Sequence, residues 1–488
     1  MPSETEIRRW ALSCLALGFS GQVPPPWLRG ALADGLAGVI LFGSNVADGD
    51  DLGTLTAELR SAAGRDLVIG LDEEGGDVTR LDATRGSEVP GAAALGALDD
   101  PATTEEIYAA IGSRLAASGV TLDLAPVADV NVDPENPVIG VRSFSADPQV
   151  AARHVAAAVR GLQRFGVAAC VKHFPGHGAT STDSHLAVPV VARSRSQLDE
   201  IEFVPFRAAI AAGARAAMTA HLLVPALDAE LIGTLSRRVT TDVLRGTLGF
   251  TGTIVTDALE MAAVTQRVGV VDGFVQALLA GADLIETGAG EYPELVEQIP
   301  AAVLAAVRSG RLSAERLAEA SRRARALAAP TSDNASYDES VVAGAAAACV
   351  QIVGELPTLH RPLVVECHSP NGIATGTLPW SLASRLAARV PGTDVLTIDG
   401  PVELSAVLEA AQGRTLVAVI RDPRRHAWQG RIVAAAAAHP SAVVVDVGWP
   451  DEAPAGSPPR VLTRGIAPGL LDEAARALAA STVAAGGR

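Results

Sequence analysis

The chain has little lysine, only four cysteines and no long apolar run. Each shortage excludes something. Cys14, Cys170, Cys349 and Cys367 lie far apart and form no CxxC pair. A disulfide scaffold and a zinc ribbon are therefore excluded, and four buried thiols in a reducing compartment are expected. No apolar run reaches the roughly 18–20 residues of a membrane span. Arg8–Phe19 imitates a signal peptide, but its apolar part is too short, and Leu15–Phe19 reads as a first core strand. No GxGxxG, GxxxxGK[ST] or GxSxG occurs, so dinucleotide-binding, P-loop and α/β-hydrolase readings lack their motifs. A basic surplus is missing too. The formal charge of −16 and the pI near 5.0 argue against nucleic acid and anionic membrane surfaces as main partners. A soluble cytoplasmic protein acting on a small molecule is expected, as a monomer or homodimer.

Apolar residues supply 48% of the 488 positions, enough for more than one large core. They recur as short runs separated by amphipathic helical stretches such as Pro148–Phe165 and Ser196–Ala212. The runs are Leu15–Phe19, Gly38–Phe42, Leu67–Leu71, Thr121–Pro126, Val167–Val171, Ala216–Ala220, Thr253–Thr256 and Ala282–Glu286. Short, wholly apolar strands alternating with helices predict a parallel sheet. Eight of them predict a (β/α)8 barrel of the TIM type, with an open doubly wound sheet as the alternative. Asp72, Asp129, Lys172, His173, His221 and Asp257 all fall at or just past strand C-termini. In a barrel those ends converge on one pocket.

The helix Leu312–Ala328 is followed by Ala329-Pro-Thr-Ser-Asp-Asn334, which reads as a linker. Further strands are expected at Val350–Val353, Pro362–Glu366, Asp394–Ile398, Thr415–Ile420 and Ala442–Val447. The predicted organisation is a catalytic barrel over 1–330, a linker over 331–340 and a smaller α/β sandwich over 341–488, its strands parallel.

Lys172–His185, Lys-His-Phe-Pro-Gly-His-Gly-Ala-Thr-Ser-Thr-Asp-Ser-His, begins where an apolar strand ends. Asp183 and His185 stand two apart in a loop, so the carboxylate can hold one imidazole nitrogen and leave the other for substrate. His173, His177, Asp183 and His185 could also ligate zinc. Their spacing follows no finger or zincin pattern, and Lys172 would repel a cation, so no metal and no cofactor is expected. Asp257, between an apolar strand and a helix, reads as a helix N-cap or as a nucleophile or base in the barrel mouth.

These segments resemble the β-N-acetylglucosaminidase branch of glycoside hydrolase family 3. The likeness rests on Lys172-His-Phe-Pro-Gly-His-Gly with Asp183-Ser-His185, and on Leu71-Asp72-Glu-Glu-Gly-Gly-Asp-Val-Thr-Arg80-Leu. Gly38–Asn45, Leu124–Val130, Ile139–Phe144 and Gly249–Asp257 agree in the same order. The resemblance spans about residues 13–330. It implies that Asp257 is the nucleophile and His185 the acid/base, oriented by Asp183. It also implies that Asp72, Arg80, Arg142, Lys172 and His173 hold a terminal N-acetylhexosamine. Glu73, Asp77, Ala258 and Glu260 depart from the pattern expected of the family, which bears on the leaving-group side.

The implied reaction is retaining, exo-acting release of terminal GlcNAc from peptidoglycan fragments or chitooligosaccharides. Two alternatives stand beside it. An imidazole does not repel phosphate as a carboxylate would, so the same residues could serve a β-N-acetylglucosaminide phosphorylase. A barrel without turnover could serve as a sugar sensor. In the second domain, Arg424, His426 and Trp428 follow the strand Thr415–Ile420, at the end where open sheets bind ligands. They read as contributors to a site or as a solvated basic loop with a packed Trp.

Overall fold

The computed structural model describes residues 2–46, 52–180, 188–329, 335–369, 375, 378–451 and 456–483. The chain divides into two compact units. The first comprises Met1–Glu74, Pro101–Ile139 and Ser145–Asp338; the second comprises Gly75–Asp100, Gly140–Phe144 and Glu339–Arg488.

The first unit is built on eight parallel strands: β1 (Leu15–Leu17), β2 (Gly38–Leu41), β3 (Val68–Leu71), β4 (Leu122–Asp123), β5 (Ala168–Phe174), β6 (Ala216–Thr219), β7 (Thr253–Thr256) and β8 (Ile285–Glu286). Each pairs with its neighbour in chain order, and β8 returns to β1. A bridge between Val255 and Leu284 joins the β7 and β8 segments, with Thr256 N–H donating to Leu284 O at 3.0 Å. The expected barrel is therefore the observed fold, and the open sheet is not.

The strands are wholly buried because helices cover their outer side and side chains fill the inside. Ala16, Ile40, Val68, Leu122, Ala168, Cys170, Ala216, Met218, Val255 and Leu284 form one interior cluster. Side chains alternate across a strand, so the residue two places further along faces inward again. Two places past Cys170, Val255 and Leu284 stand Lys172, Asp257 and Glu286, and four past Val68 stands Asp72. The apolar filling thus gives way to a charged layer at the C-terminal mouth.

The second unit carries a six-stranded sheet ordered β11-β10-β12-β13-β14-β9. Its strands are β9 (Gln351–Val353), β10 (Leu363–Cys367), β11 (Asp394–Ile398), β12 (Leu416–Ile420), β13 (Ala442–Asp446) and β14 (Arg460–Leu462). Val364, Val417, Val443 and Val461 face one apolar layer; Leu363, Leu416, Ala418 and Val444 face another. Two buried faces make this the expected sandwich. Two details differ from the sequence reading. The strand β14 follows Pro458-Pro459 and begins with an arginine, so no apolar run announced it. And β9 runs antiparallel to β14, so the sheet is mixed. Asp77 also belongs to this unit. It accepts from Arg421 Nη2 at 2.7 Å and from Ile466 N–H at 2.8 Å. Its carboxylate thus has a guanidinium partner.

Candidate active site

The mouth of the barrel is organised around Lys172. Its ammonium is 2% exposed and lies 2.6 Å from Asp72 Oδ1 and 2.8 Å from Glu74 Oε1. An ammonium so far from water requires such partners, and each carboxylate is fixed in return. Lys172 is also the only lysine in the chain, in a protein that otherwise uses arginine. That singularity is a sequence signal for a position where a compact point charge is needed rather than a planar fork.

Beside it, Asp129 holds the start of the histidine-rich stretch by three bonds. His173 N–H and His177 N–H donate to its Oδ1 at 3.2 and 2.7 Å, and His173 Nδ1 lies 2.7 Å from its Oδ2. A carboxylate only accepts, so Nδ1 of His173 carries the proton and Nε2 is the nitrogen left to face a ligand. Burial works to raise the Asp129 carboxyl, but the charges and hydrogen bonds of His173 and His177 outweigh it and hold it below the usual range. Burial pushes His177 down to about 4, so its ring is neutral near pH 7. The loop passes too tightly for side chains at two positions. Gly176 has φ +125°, and a Cβ at Gly178 would lie 1.8 Å from Val130 O.

Asp257 sits just past β7 as a partly exposed carboxylate. Its N–H donates to Thr219 O at 3.0 Å, and its Oδ1 accepts from Ala258 N–H at 2.8 Å. Under this turn His221 is fully buried. Its Nε2 donates to Ala258 O at 3.0 Å. In the neutral ring Nδ1 then accepts from Thr234 Oγ1 at 2.8 Å, and Thr234 in turn accepts from Thr219 Oγ1 at 3.1 Å. The chain of bonds fixes the peptide that follows Asp257 from below.

The structure thus brings Asp72, Lys172, His173 and Asp257 to one end of one barrel. Asp183 and His185 lie outside the described residues. Arg80 and Arg142 belong to the second unit, in Gly75–Asp100 and Gly140–Phe144. Arg424 pairs with Asp451, His426 stands at the N-cap position of the helix Ala427–Ala438 without a side-chain capping bond, and Trp428 packs on the second unit's own core. Among the described residues no group of three His, Cys, Asp or Glu is placed to hold a metal ion.

Sequence reasoning passed over three buried acids. Asp123 is fully buried in β4, takes Glu73 N–H at 3.0 Å, and is pushed well up by burial. Glu202, beneath Gly176, is raised by burial to about 7, with Arg193 3.4 Å away. Glu286 is likewise pushed well up by burial, with Asp257 next among the causes. A Glu closing the apolar run Leu284-Ile-Glu286 was the available signal.

Residues 30–327 match the family model described as the glycosyl hydrolase family 3 N-terminal domain. The chain belongs to glycosyl hydrolase family 3. It is similar to a beta-hexosaminidase of Stenotrophomonas maltophilia, 41% identical over 278 residues, which are 56% of this chain and 80% of that one. Among solved structures it is similar to a family 3 beta-N-acetylglucosaminidase from a Paenibacillus species, at 33% identity and TM-score 0.86 over 97% of this chain and 96% of that one. A beta-N-acetylhexosaminidase from Beutenbergia cavernae matches 66% of this chain and 98% of its own, at 30% identity and TM-score 0.60. The family 3 chain contains no described helix long and apolar enough to cross a membrane.

Proposed function

We propose a retaining, exo-acting mechanism for this family 3 glycoside hydrolase, a β-N-acetylhexosaminidase like its relatives. Asp257 attacks the anomeric carbon and forms a glycosyl-enzyme, while His185, oriented by Asp183, protonates the leaving oxygen. Water then enters, giving its proton to His185, and the bond to Asp257 breaks with its electron pair returning to the carboxylate. Asp72, Lys172 and His173, with Arg80 and Arg142, hold the hydroxyls of a terminal N-acetylhexosamine. Fixing them spends binding on orientation.

The observation that supports this most is the inward layer of Asp72, Lys172 and Asp257. It presents a partly exposed carboxylate next to a clamp whose other charges are fixed. Substrates are muropeptide-type or chitooligosaccharide N-acetylglucosaminides, and the reaction belongs in the cytoplasm, in keeping with four free buried cysteines. Hydrolysis of paired aryl N-acetylglucosaminide and glucoside, followed by NMR with and without phosphate, tests the reading. We expect the N-acetylated substrate to be favoured and the β-anomer of free sugar to form first. A sugar 1-phosphate as main product would replace hydrolysis by phosphorolysis, and an α-anomer would remove the retaining mechanism.

A further inference from the structure

Glu286 has no part in that mechanism, yet its position is specific. Val255 and Leu284 pair across the β7–β8 seam. Two residues on, Asp257 and Glu286 are lateral neighbours of the same layer, both on the inward face. The backbone of Glu286 is tied to the same turn: its N–H donates to Thr256 Oγ1 at 3.3 Å, and Leu259 N–H donates to its carbonyl at 3.1 Å. Its side chain is buried and its Oε2 has no hydrogen-bond partner. The charged and titratable groups around it are Asp257 from β7, Glu260 from the following turn, Asp72 from β3, and Lys172 and Cys170 from β5. Lys172 is already engaged by Asp72 and Glu74.

We propose that Glu286 is a positioning residue for Asp257: a protonated carboxyl on the adjacent strand that stabilises the Asp257 carboxylate and so keeps it a good leaving group. Two neighbouring acids in a buried layer do not both ionise readily, and the deeper one keeps the proton. The effect falls on the second half of turnover. When the glycosyl-enzyme breaks down, the C–O bond to Asp257 opens and its electron pair returns to the carboxylate. A neutral neighbour with an O–H to offer favours that product; an ionised neighbour opposes it. Glu286 itself neither gains nor loses a proton in the cycle.

The inference rests on Asp257 as nucleophile, which mass spectrometry after reaction with a 5-fluoro glycosyl fluoride checks separately by the site of labelling. The test itself uses kcat for a dinitrophenyl N-acetylglucosaminide, where breakdown of the intermediate limits the rate and the activating base is already deprotonated at high pH. Wild-type kcat is expected to fall about tenfold per pH unit once Glu286 ionises. Glu286→Gln keeps a neutral donor, so it should retain kcat within a few-fold and lose the alkaline fall. Glu286→Leu should lower kcat roughly tenfold at every pH, because the neutral O–H beside the charged carboxylate is removed. KM should change less than kcat. An alkaline fall that persists in Glu286→Gln, or wild-type kcat in Glu286→Leu, overturns the proposal. If the variants do not fold, infrared spectra of the wild-type protein decide. A protonated-carboxyl band sensitive to glutamate labelling should persist above pH 7, and its absence overturns the proposal as well.

Discussion

Both ends of the barrel bury charge, and they do so in opposite ways. At the mouth, Asp72, Glu74, Asp123, Asp129, Asp257, Glu260 and Glu286 surround a single lysine. At the other end one buried carboxylate, Asp283, is held by arginines, two of which also pair with Glu319. Arg245 and Arg316 both donate to it, Arg316 at 2.9 Å, and Arg323 stands 3.8 Å away. Ile254 N–H adds a bond at 3.0 Å. Asp283 is enclosed by guanidiniums that also bond backbone carbonyls and Glu319, whereas the mouth gathers several acids around one lysine. Saturated charge holds structure together. Crowded acid is what a site that must bind and react with a ligand keeps in place.

The strongest way to break this contrast is at Asp257. Asp257→Ala should reduce kcat roughly 10⁴-fold or more. Its melting temperature should be unchanged or slightly higher, because one of several crowded acids is gone. Steady-state assays beside a thermal melt check both. A variant that unfolds but turns over normally when folded would put Asp257 with the structural charges.

The converse holds at the other end. Asp283→Asn leaves three neighbouring guanidiniums with the partly exposed Glu319 as their remaining carboxylate. The expected cost is about 3–5 kcal/mol, a melting point lower by roughly 10 °C. At a temperature where the variant is folded, kcat/KM should match the wild type within a few-fold. Lost activity without lost stability would mean that the two ends are not separate in role.

The contrast was only half legible in the sequence. Asp72, Lys172, His173 and Asp257 could be read because they follow apolar runs directly, and a barrel brings all such ends together. The floor of arginines could not: Arg245, Arg316 and Arg323 sit on helices far along the chain, and nothing local ties them to Asp283. Glu286 and Asp123 look like the last residues of ordinary strands, and their inward direction depends on barrel closure and on strand parity. β14 was hidden because three residues after two prolines carry no periodicity. The placement of Gly75–Asp100 with the second unit depends on bonds such as Arg421 to Asp77, which span hundreds of residues.

The mouth should also be where stability titrates. The folded protein holds the Glu202 proton more tightly than the unfolded chain does, since burial raises the group to about 7 from the usual range near 4.3. Its contribution is fully present below the unfolded value and is lost as pH rises through about 7. Across that window wild-type stability should decline, relative to Glu202→Gln, by roughly 3 kcal/mol at most, since Arg193 offsets part of the cost. Denaturant melts of both proteins at pH 4.5 and 7.5 measure the difference. Parallel pH curves would show that the glutamate does not titrate in that window.

The smallest expected effect sharpens the comparison within the mouth itself. The bonds from Thr219 through Thr234 and His221 to Ala258 O are saturated, as at the other end of the barrel, but they lie beneath the Asp257 turn. Thr234→Val keeps the shape and removes the hydroxyl, and with it the bonds to His221 Nδ1 and Thr219 Oγ1. The expected cost is about 1–2 kcal/mol in stability. If the chain also fixes the orientation of Asp257, kcat should fall by a further few-fold while KM holds. If KM and kcat are both unchanged and only stability falls, the chain is support in the same sense as the Asp283 cluster. The boundary between structure and chemistry would then run between His221 and Asp257, one residue below the charged layer.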